Sequence, residues 1–242
     1  MSERLYTDLA RWWPLLSPAE DFDEAAAAYL ELLHQPLDGP MTSMLELGAG
    51  GGSIASHLPP ELTVVLTDAS QAMLDVSKVL NPKREHVCAD MRIMRLQRQF
   101  DSVLLHDAVM YLTSPEDLRA AFDTAYAHCR PGGSFLVVPD VVSEGFVETT
   151  LTGGNVEPDG RGAQMLEWHW DPERADHTYR AEFVFLLREA DGTVRSVHDR
   201  HLMGLFPRQM FVDTLRAAGF VPTSAILTTP IDGEIFLARR PS

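Results

Sequence analysis

An open, doubly wound α/β sheet, mostly parallel and finished by an antiparallel hairpin, is the fold this sequence predicts. Three observations carry the prediction. Short apolar runs alternate with helix-spaced ones between residues 41 and 140. A glycine-rich turn, Gly48-Ala-Gly-Gly-Gly52, follows the first of those runs. Acids recur near the ends of three successive runs, at Glu46, Asp68 and Asp90.

Taken in order, residues 1–34 have helical apolar spacing and end in the turn formers Pro36-Leu-Asp-Gly-Pro40. Residues 44–47 read as a buried strand and 53–58 as the helix after the glycines. A second strand is expected at 62–66, a helix at about 71–79, and a short strand at 87–89. Strand 100–105 precedes a helix at 115–129 with Ser114 as its N-cap, stopped by Pro131-Gly-Gly133 before a fifth strand at 135–138. Residues 141–162 look irregular. Strands follow at 165–170, 179–187 and 194–205, the last two joined across Asp191-Gly192, a hairpin signal. A helix at 211–218 is closed by Gly219, and 225–229 with 234–238 form the terminal antiparallel pair. Five parallel strands and that pair make seven. The chain therefore divides, within one domain, into a helical segment (1–40), an α/β core (41–140), a β-rich insertion (141–205) and a last helix with two strands (206–242).

The formal charge is −15, from 20 basic and 35 acidic residues, which disfavours nucleic acid and anionic membrane. Two cysteines give no disulfide framework, the N-terminus lacks the apolar core of a signal peptide, and no run of ~20 apolar residues appears. The expected location is the cytoplasm. Nine histidines raise a metal site, but none cluster with zinc spacing, so no metal is expected.

The glycine turn has three candidate ligands. A nucleotide P-loop needs Lys after its last glycine, where this chain has Ser53. A dinucleotide site wants glycine at 53 and sits poorly beside Glu46. A cationic ligand without phosphates welcomes the acids, which a doubly wound sheet lines up at the carboxyl ends of its strands. Asp68 stands about 20 residues after the first glycine, where an acid accepts hydrogen bonds from ribose hydroxyls. The competing reading is solvated surface acids in an acidic protein.

With those residues in view, the sequence resembles the class I S-adenosylmethionine-dependent methyltransferases, which have a Rossmann-like core. The resemblance runs through Leu45-Glu-Leu-Gly-Ala-Gly-Gly-Gly, Leu66-Thr-Asp-Ala-Ser-Gln-Ala-Met-Leu, Cys88-Ala-Asp-Met-Arg, Phe100-Asp-Ser-Val-Leu and Arg130-Pro-Gly-Gly-Ser-Phe-Leu. It implies S-adenosyl-L-methionine as cofactor. Gly48, Ala49, Gly50 and Gly52 would carry its methionine portion, with Glu46 near the ammonium. Asp68 and Ala69, with Met73, would address the ribose side, Ala89, Asp90 and Met91 the adenine, and Tyr6 and His106 would flank the cofactor.

More narrowly, Leu5-Tyr6, Asp90-Met-Arg92 and Asp199-Arg-His-Leu-Met-Gly-Leu-Phe206 are similar to N,N-dimethyltransferases acting on amino sugars. His106-Asp-Ala-Val-Met-Tyr111 and Glu167-Trp-His-Trp170 depart from that pattern. The resemblance implies methyl transfer to nitrogen or oxygen of a small metabolite, with residues 1–40 as a lid. A nicotinamide oxidoreductase and a non-catalytic cofactor-binding protein are the alternatives. Methyl transfer mainly needs alignment, so a base is optional. His106, Tyr111 and His201 are the catalytic candidates. Tyr6, Tyr111, Trp168, Trp170 and His201 are the candidates for acceptor binding, and the two indoles, on one face of a strand, either box the acceptor or pack the insertion onto the core. A homodimer, if one forms, would use the β-rich insertion.

Overall fold

A computed structural model describes residues 3–37, 39–173, 176–228 and 234–242, with 224–228 by backbone alone. Its helices are α1 (Trp13–Leu16), α2 (Asp23–His34), α3 (Ser53–Ser56), α4 (Gln71–Leu80), α5 (Pro115–His128) and α6 (Arg208–Ala218). Its strands are β1 (Ser43–Leu47), β2 (Thr63–Asp68), β3 (Glu85–Cys88), β4 (Phe100–His106), β5 (Cys129–Val138), β6 (Thr149–Gly153), β7 (Gly162–Trp170), β8 (Thr178–Arg188), β9 (Val194–Gly204), β10 (Val221–Thr228) and β11 (Glu234–Arg239).

Seven strands form one sheet in the order β10-β11-β5-β4-β1-β2-β3. β1 to β5 are mutually parallel, and β11 enters antiparallel to β5 and β10. The strand order reverses between β1 and β4, so the carboxyl ends of these two neighbours open a crevice. Burial explains the near-continuous apolar runs: Val64, Val65 and Leu66 on β2, and Val103, Leu104 and Leu105 on β4, are almost wholly enclosed.

Local signals set the element ends. Ser114 Oγ accepts the Asp117 amide at 3.1 Å, and Ser70 Oγ accepts that of Met73 at 3.2 Å, each capping the helix it precedes. Gly219, in the left-handed conformation, ends α6. The β8–β9 turn closes on Asp191, whose carboxylate accepts the Thr193 amide at 2.8 Å.

Four expectations need correction. The opening segment is not one helical run: short 3-10 turns at Arg4–Tyr6 and Ala10–Trp12 precede α1, which carries Pro14, and a third at Ala19–Phe22, after Pro18, separates α1 from α2. No helix joins β3 to β4, which are linked by turns across 89–99. The stretch read as irregular contains β6, an edge strand of Thr-Thr-Leu-Thr-Gly whose residues are half-buried or exposed, so it carries no apolar alternation. Strand β10 begins at Val221 rather than 225, and Thr229 lies outside the described residues.

β6 to β9 form a separate antiparallel sheet. One face buries Ala181, Phe183, Phe185 and Leu187 of β8 with Val197, His201 and Met203 of β9. The N-terminal segment lies between this sheet and the core, burying Leu5, Leu9 and Trp12 in the same apolar cluster. Among the described residues no helix is long and apolar enough to cross a membrane.

Candidate active site

A cleft of about 940 Å³ opens at the carboxyl ends of the parallel strands. Each strand contributes an acid or a histidine to its wall: Glu46 from β1, Asp68 from β2, Asp90 after β3, His106 and Asp107 at the end of β4, and Asp140 after β5. The even spacing of Glu46, Asp68 and Asp90 thus becomes a row along one wall.

The glycine turn bends tightly under the N-terminal segment. Gly48 has φ +67°, and a Cβ there would stand 2.2 Å from the Ala108 side chain, so neither conformation nor space admits one. The Gly50 amide donates to Asp68 Oδ2 at 2.9 Å, and the Ser70 amide to Oδ1 at 2.7 Å. Each Asp68 oxygen has one amide donor and retains a lone pair. Glu46 is 3% exposed, and its Oε2 has no partner among the described residues. Burial, reinforced by Asp68 against the pull of His106, pushes this carboxyl up to about 7.

His106 packs edge-on to Phe22 and tilted against Tyr29, with Nε2 2.9 Å from Asp107 Oδ1. Burial would lower its basicity, but the charges of Asp107 and Glu46 outweigh that and raise it. Asp107 hydrogen-bonds Asp140. Burial pushes both carboxyls up; His106 reverses this at Asp107, whereas the Asp107 charge adds to it at Asp140. Asp107 also has φ +51°, an uncommon backbone state outside glycine.

The opposite wall comes from the N-terminal segment and the second sheet. Tyr6 Oη lies 2.6 Å from Tyr111 Oη, and Tyr111 Oη lies 2.8 Å from His201 Nδ1. Burial pushes both tyrosine hydroxyls above their ordinary range, so they remain neutral phenols. The Tyr6 carbonyl accepts Ser70 Oγ, which locks the segment over the crevice beside the glycine turn.

Of the residues singled out from sequence, Tyr6, Glu46, Gly48, Ala49, Gly50, Asp68, Ala69, Ala89, Asp90, Met91, His106 and Tyr111 line the cleft. Five others do not. Gly52 presents its carbonyl to Asn81 Nδ2 at 2.9 Å, and a Cβ there would meet Ser77 Oγ at 2.2 Å, so it serves turn-to-helix packing. Met73 is fully buried beneath the turn, with Cε 3.6 Å from where a Gly50 Cβ would stand. His201 is fully buried behind the cleft, hydrogen-bonded to Tyr111 and packed against Tyr6 and Phe183. Trp168 and Trp170 stack with ring centroids 6.0 Å apart on the face of β7 opposite to Glu167, and neither lines the cleft. Trp168 is exposed and Trp170 half-buried. Asp90 does line the cleft, but it is engaged by Arg92, whose Nη2 is 2.7 Å from Oδ2.

Asp107 is expected from sequence at the mouth of the crevice and Gly51 within the glycine turn, both without a role of their own; Asp140 and Glu167, which face the same cavity, are not singled out there, and Gly51 lies against Trp13. Asp107 and Asp140 follow strands as Asp68 does, a signal that was available. Glu167 shows only as a residue of alternate parity to Trp168, which identifies its face once the insertion is docked.

Residues 45–135 match the model of a methyltransferase domain. The chain is 28% identical over 180 residues, 74% of its length and 75% of the other's, to dTDP-3-amino-3,4,6-trideoxy-alpha-D-glucopyranose N,N-dimethyltransferase of Streptomyces venezuelae. In fold it is similar to DesVI of Streptomyces venezuelae, with TM-score 0.80, 23% identity and 92% of each chain covered. It is also similar to CalS10, an amino pentose methyltransferase of Micromonospora echinaspora solved with S-adenosylmethionine bound, with TM-score 0.71, 24% identity, and 96% and 94% of the two chains covered. The residues present fit that cofactor. An orphaned buried carboxylate suits its ammonium, a turn without side chains suits its amino-acid portion, and the free lone pairs of Asp68 suit a ribose diol.

Proposed function

We propose that this chain, a class I S-adenosylmethionine-dependent methyltransferase, methylates the nitrogen of a small amine, and that its acceptor is an amino sugar. One observation carries the choice of nitrogen. Beyond the cofactor residues the cleft is walled by Asp107, Asp140, Glu167 and two neutral tyrosine hydroxyls, while Arg92, which also faces it, is already paired with Asp90 and Asp117. Such a wall attracts an ammonium and hydrogen-bonds hydroxyls. The amino sugar is supported by the name of the Streptomyces relative.

In this reading Glu46 and the Gly48–Gly51 backbone hold the amino-acid end of the cofactor, and Asp68 holds its ribose. The bound cofactor supplies an electrophilic methyl on a sulfonium, with a neutral thioether as leaving group. The carboxylates of Asp107 and Glu167 draw the acceptor in as a cation, which gives a proton to water to free its lone pair before attack. Tyr6 and Tyr111 take hydrogen bonds from its N–H groups and aim the lone pair. His106, held toward its charged form by Asp107 and Glu46, is poorly placed to take a proton, so the rate comes from alignment and the amine loses its proton to water. His201 supports Tyr111 from behind. Gly52 and Met73 shape the turn, and Trp168 and Trp170 take no part.

The other face of the second sheet exposes Leu166, Trp168, Val184 and Leu186. That apolar surface supports pairing with a second copy through the insertion. An exposed Cys88 and a buried Cys129, both free, suit the reducing cytoplasm, and the net charge of −15 argues against nucleic acid or membrane as partner.

The deciding experiment offers a methyl-labelled donor with amino sugars, free, glycosidic and nucleotide-linked, alongside their deaminated hydroxyl analogues. Label is expected on nitrogen. Transfer to the hydroxyl analogues at an equal or higher rate would overturn the amine reading.

A further inference from the structure

Behind the tyrosine pair lies a buried group that has no contact with the cleft. Asp199, on β9, is 7% exposed. Its Oδ2 lies 2.8 Å from the Leu5 amide nitrogen and 3.0 Å from His201 Nε2, while Oδ1 accepts the Arg200 amide at 3.1 Å. One carboxylate oxygen therefore meets both the N-terminal segment and the histidine that supports Tyr111. A carboxylate has no proton to give, so the ring proton of His201 sits on Nε2 and Nδ1 is left as an acceptor. Tyr111 must then donate to Nδ1, and Tyr6 must donate to Tyr111. With both hydroxyl protons directed inward, the tyrosine oxygens turn only lone pairs toward the cleft.

We propose that Asp199 is a positioning residue that makes closure of the N-terminal segment and the acceptor-only polarity of the Tyr6–Tyr111 wall a single event. It acts through His201 and Tyr111 and touches neither ligand. The segment's other attachments, Ser70 to the Tyr6 carbonyl, Asn155 to the Leu15 carbonyl and Arg11 to Glu189, hold its path but leave the hydroxyl protons unspecified. The Tyr6–Tyr111 hydrogen bond also ties the segment to the core, and the Asp199 contact joins the segment's position to the direction in which that bond and the Tyr111–His201 bond run. The selective consequence, that the wall takes an N–H donor, rests on the amine reading above. The tautomer and the tether do not.

The test uses the full chain with S-adenosylhomocysteine bound. Ring 15N shifts of His201 should report the Nε2–H tautomer. Asp199→Asn can offer an N–H to Nε2, which moves the ring proton to Nδ1 and turns a Tyr6 proton into the cleft. It should raise KM for the amine more than it lowers kcat, and speed amide exchange at Leu5 by roughly ten- to hundredfold, the scale of a lost hydrogen bond to a charged group. Tyr111→Phe should raise KM as well but leave exchange at Leu5 unchanged, because the tether survives. An Nδ1–H or doubly protonated His201 in the wild-type chain would overturn the polarity, and this holds even if Asp199→Asn fails to fold. Unchanged exchange in a folded Asp199→Asn would overturn the coupling. If the acceptor proves not to be an amine, the KM comparison changes while tautomer and exchange stand.

Discussion

Glu46→Gln should separate cofactor recognition from stability, in opposite directions. Burial raises the Glu46 carboxyl from 4.5 to about 7, with Asp68 adding to the shift and His106 opposing it. Between those limits the folded chain holds a proton that the unfolded chain has released. This carboxyl therefore costs nothing below 4.5, and its penalty grows as pH rises to about 7. At ~1.36 kcal/mol per pKa unit the full penalty is about 3 kcal/mol, an upper bound because His106 shares the site. Gln carries no such charge, so Glu46→Gln should be more stable than wild type at pH 8 by up to about 3 kcal/mol, with the difference shrinking toward pH 4.5. Binding should run the other way. The ammonium of S-adenosylhomocysteine needs the carboxylate, so wild-type affinity should hold above pH 7 and weaken about tenfold by pH 6, with up to one proton released on binding. Glu46→Gln should bind weakly and without that slope. Calorimetry in buffers of different ionisation heat reads the proton count, and thermal unfolding reads the stability difference. A Gln variant with the wild-type pH slope, or proton uptake on binding, would refute the reasoning.

Asp68→Ala should weaken S-adenosylhomocysteine binding at least tenfold, since each charge-assisted hydrogen bond to ribose is worth roughly 1.5–3 kcal/mol; unchanged calorimetric affinity in a folded variant would remove Asp68 from the site. Gly48→Ala should abolish cofactor binding, because φ +67° and the 2.2 Å approach to Ala108 force the turn to shift. Trp168→Ala should leave KM for the acceptor within about twofold, and a large rise would mean that the indole reaches the cleft after all. His106→Ala should lower kcat well short of the roughly 10²–10⁴-fold cost of losing a general base, whereas a thousandfold loss at unchanged cofactor affinity would name it as the base.

The fold was legible where burial is two-sided. Residues 44–47, 62–66 and 100–105 are largely apolar because helices or the N-terminal segment cover both faces of their strands, and the serine caps and Gly219 mark helix ends chemically, whereas Pro131-Gly-Gly133, expected to stop α5, lies inside β5. The N-terminal segment was harder. Leu5, Leu9, Trp12 and Leu15 fall at a helical period and are all buried, yet they lie in short 3-10 and α turns. Periodicity records which residues turn inward, and the proline positions decide whether the backbone between them stays helical. β6 was invisible for a related reason: as an edge strand with little burial it is specified by its pairing with β7 rather than by its own residues.

The two halves of the cleft differ in legibility for a topological reason. Apart from Tyr6 and Met73, every residue proposed for the cofactor stands at the end of a parallel strand or in the turn after it, so position along the chain fixes position in space. The acceptor half joins Tyr6 before the first strand, Asp107 and Tyr111 after β4, Asp140 after β5, and Glu167 on β7. These residues meet only because the second sheet docks with one face inward. The choice of face follows from the strand period: Trp168 and Trp170 share a parity, and Glu167 and His169 hold the other. Read without the docking, paired indoles look like the binding face. In the fold Tyr179, Phe183 and Phe185 of β8 supply the packing, and the indoles are left outside. Acidic and tyrosine side chains thus line the cleft, and this parity on β7 gives the proposed acceptor a polar wall in place of an apolar box.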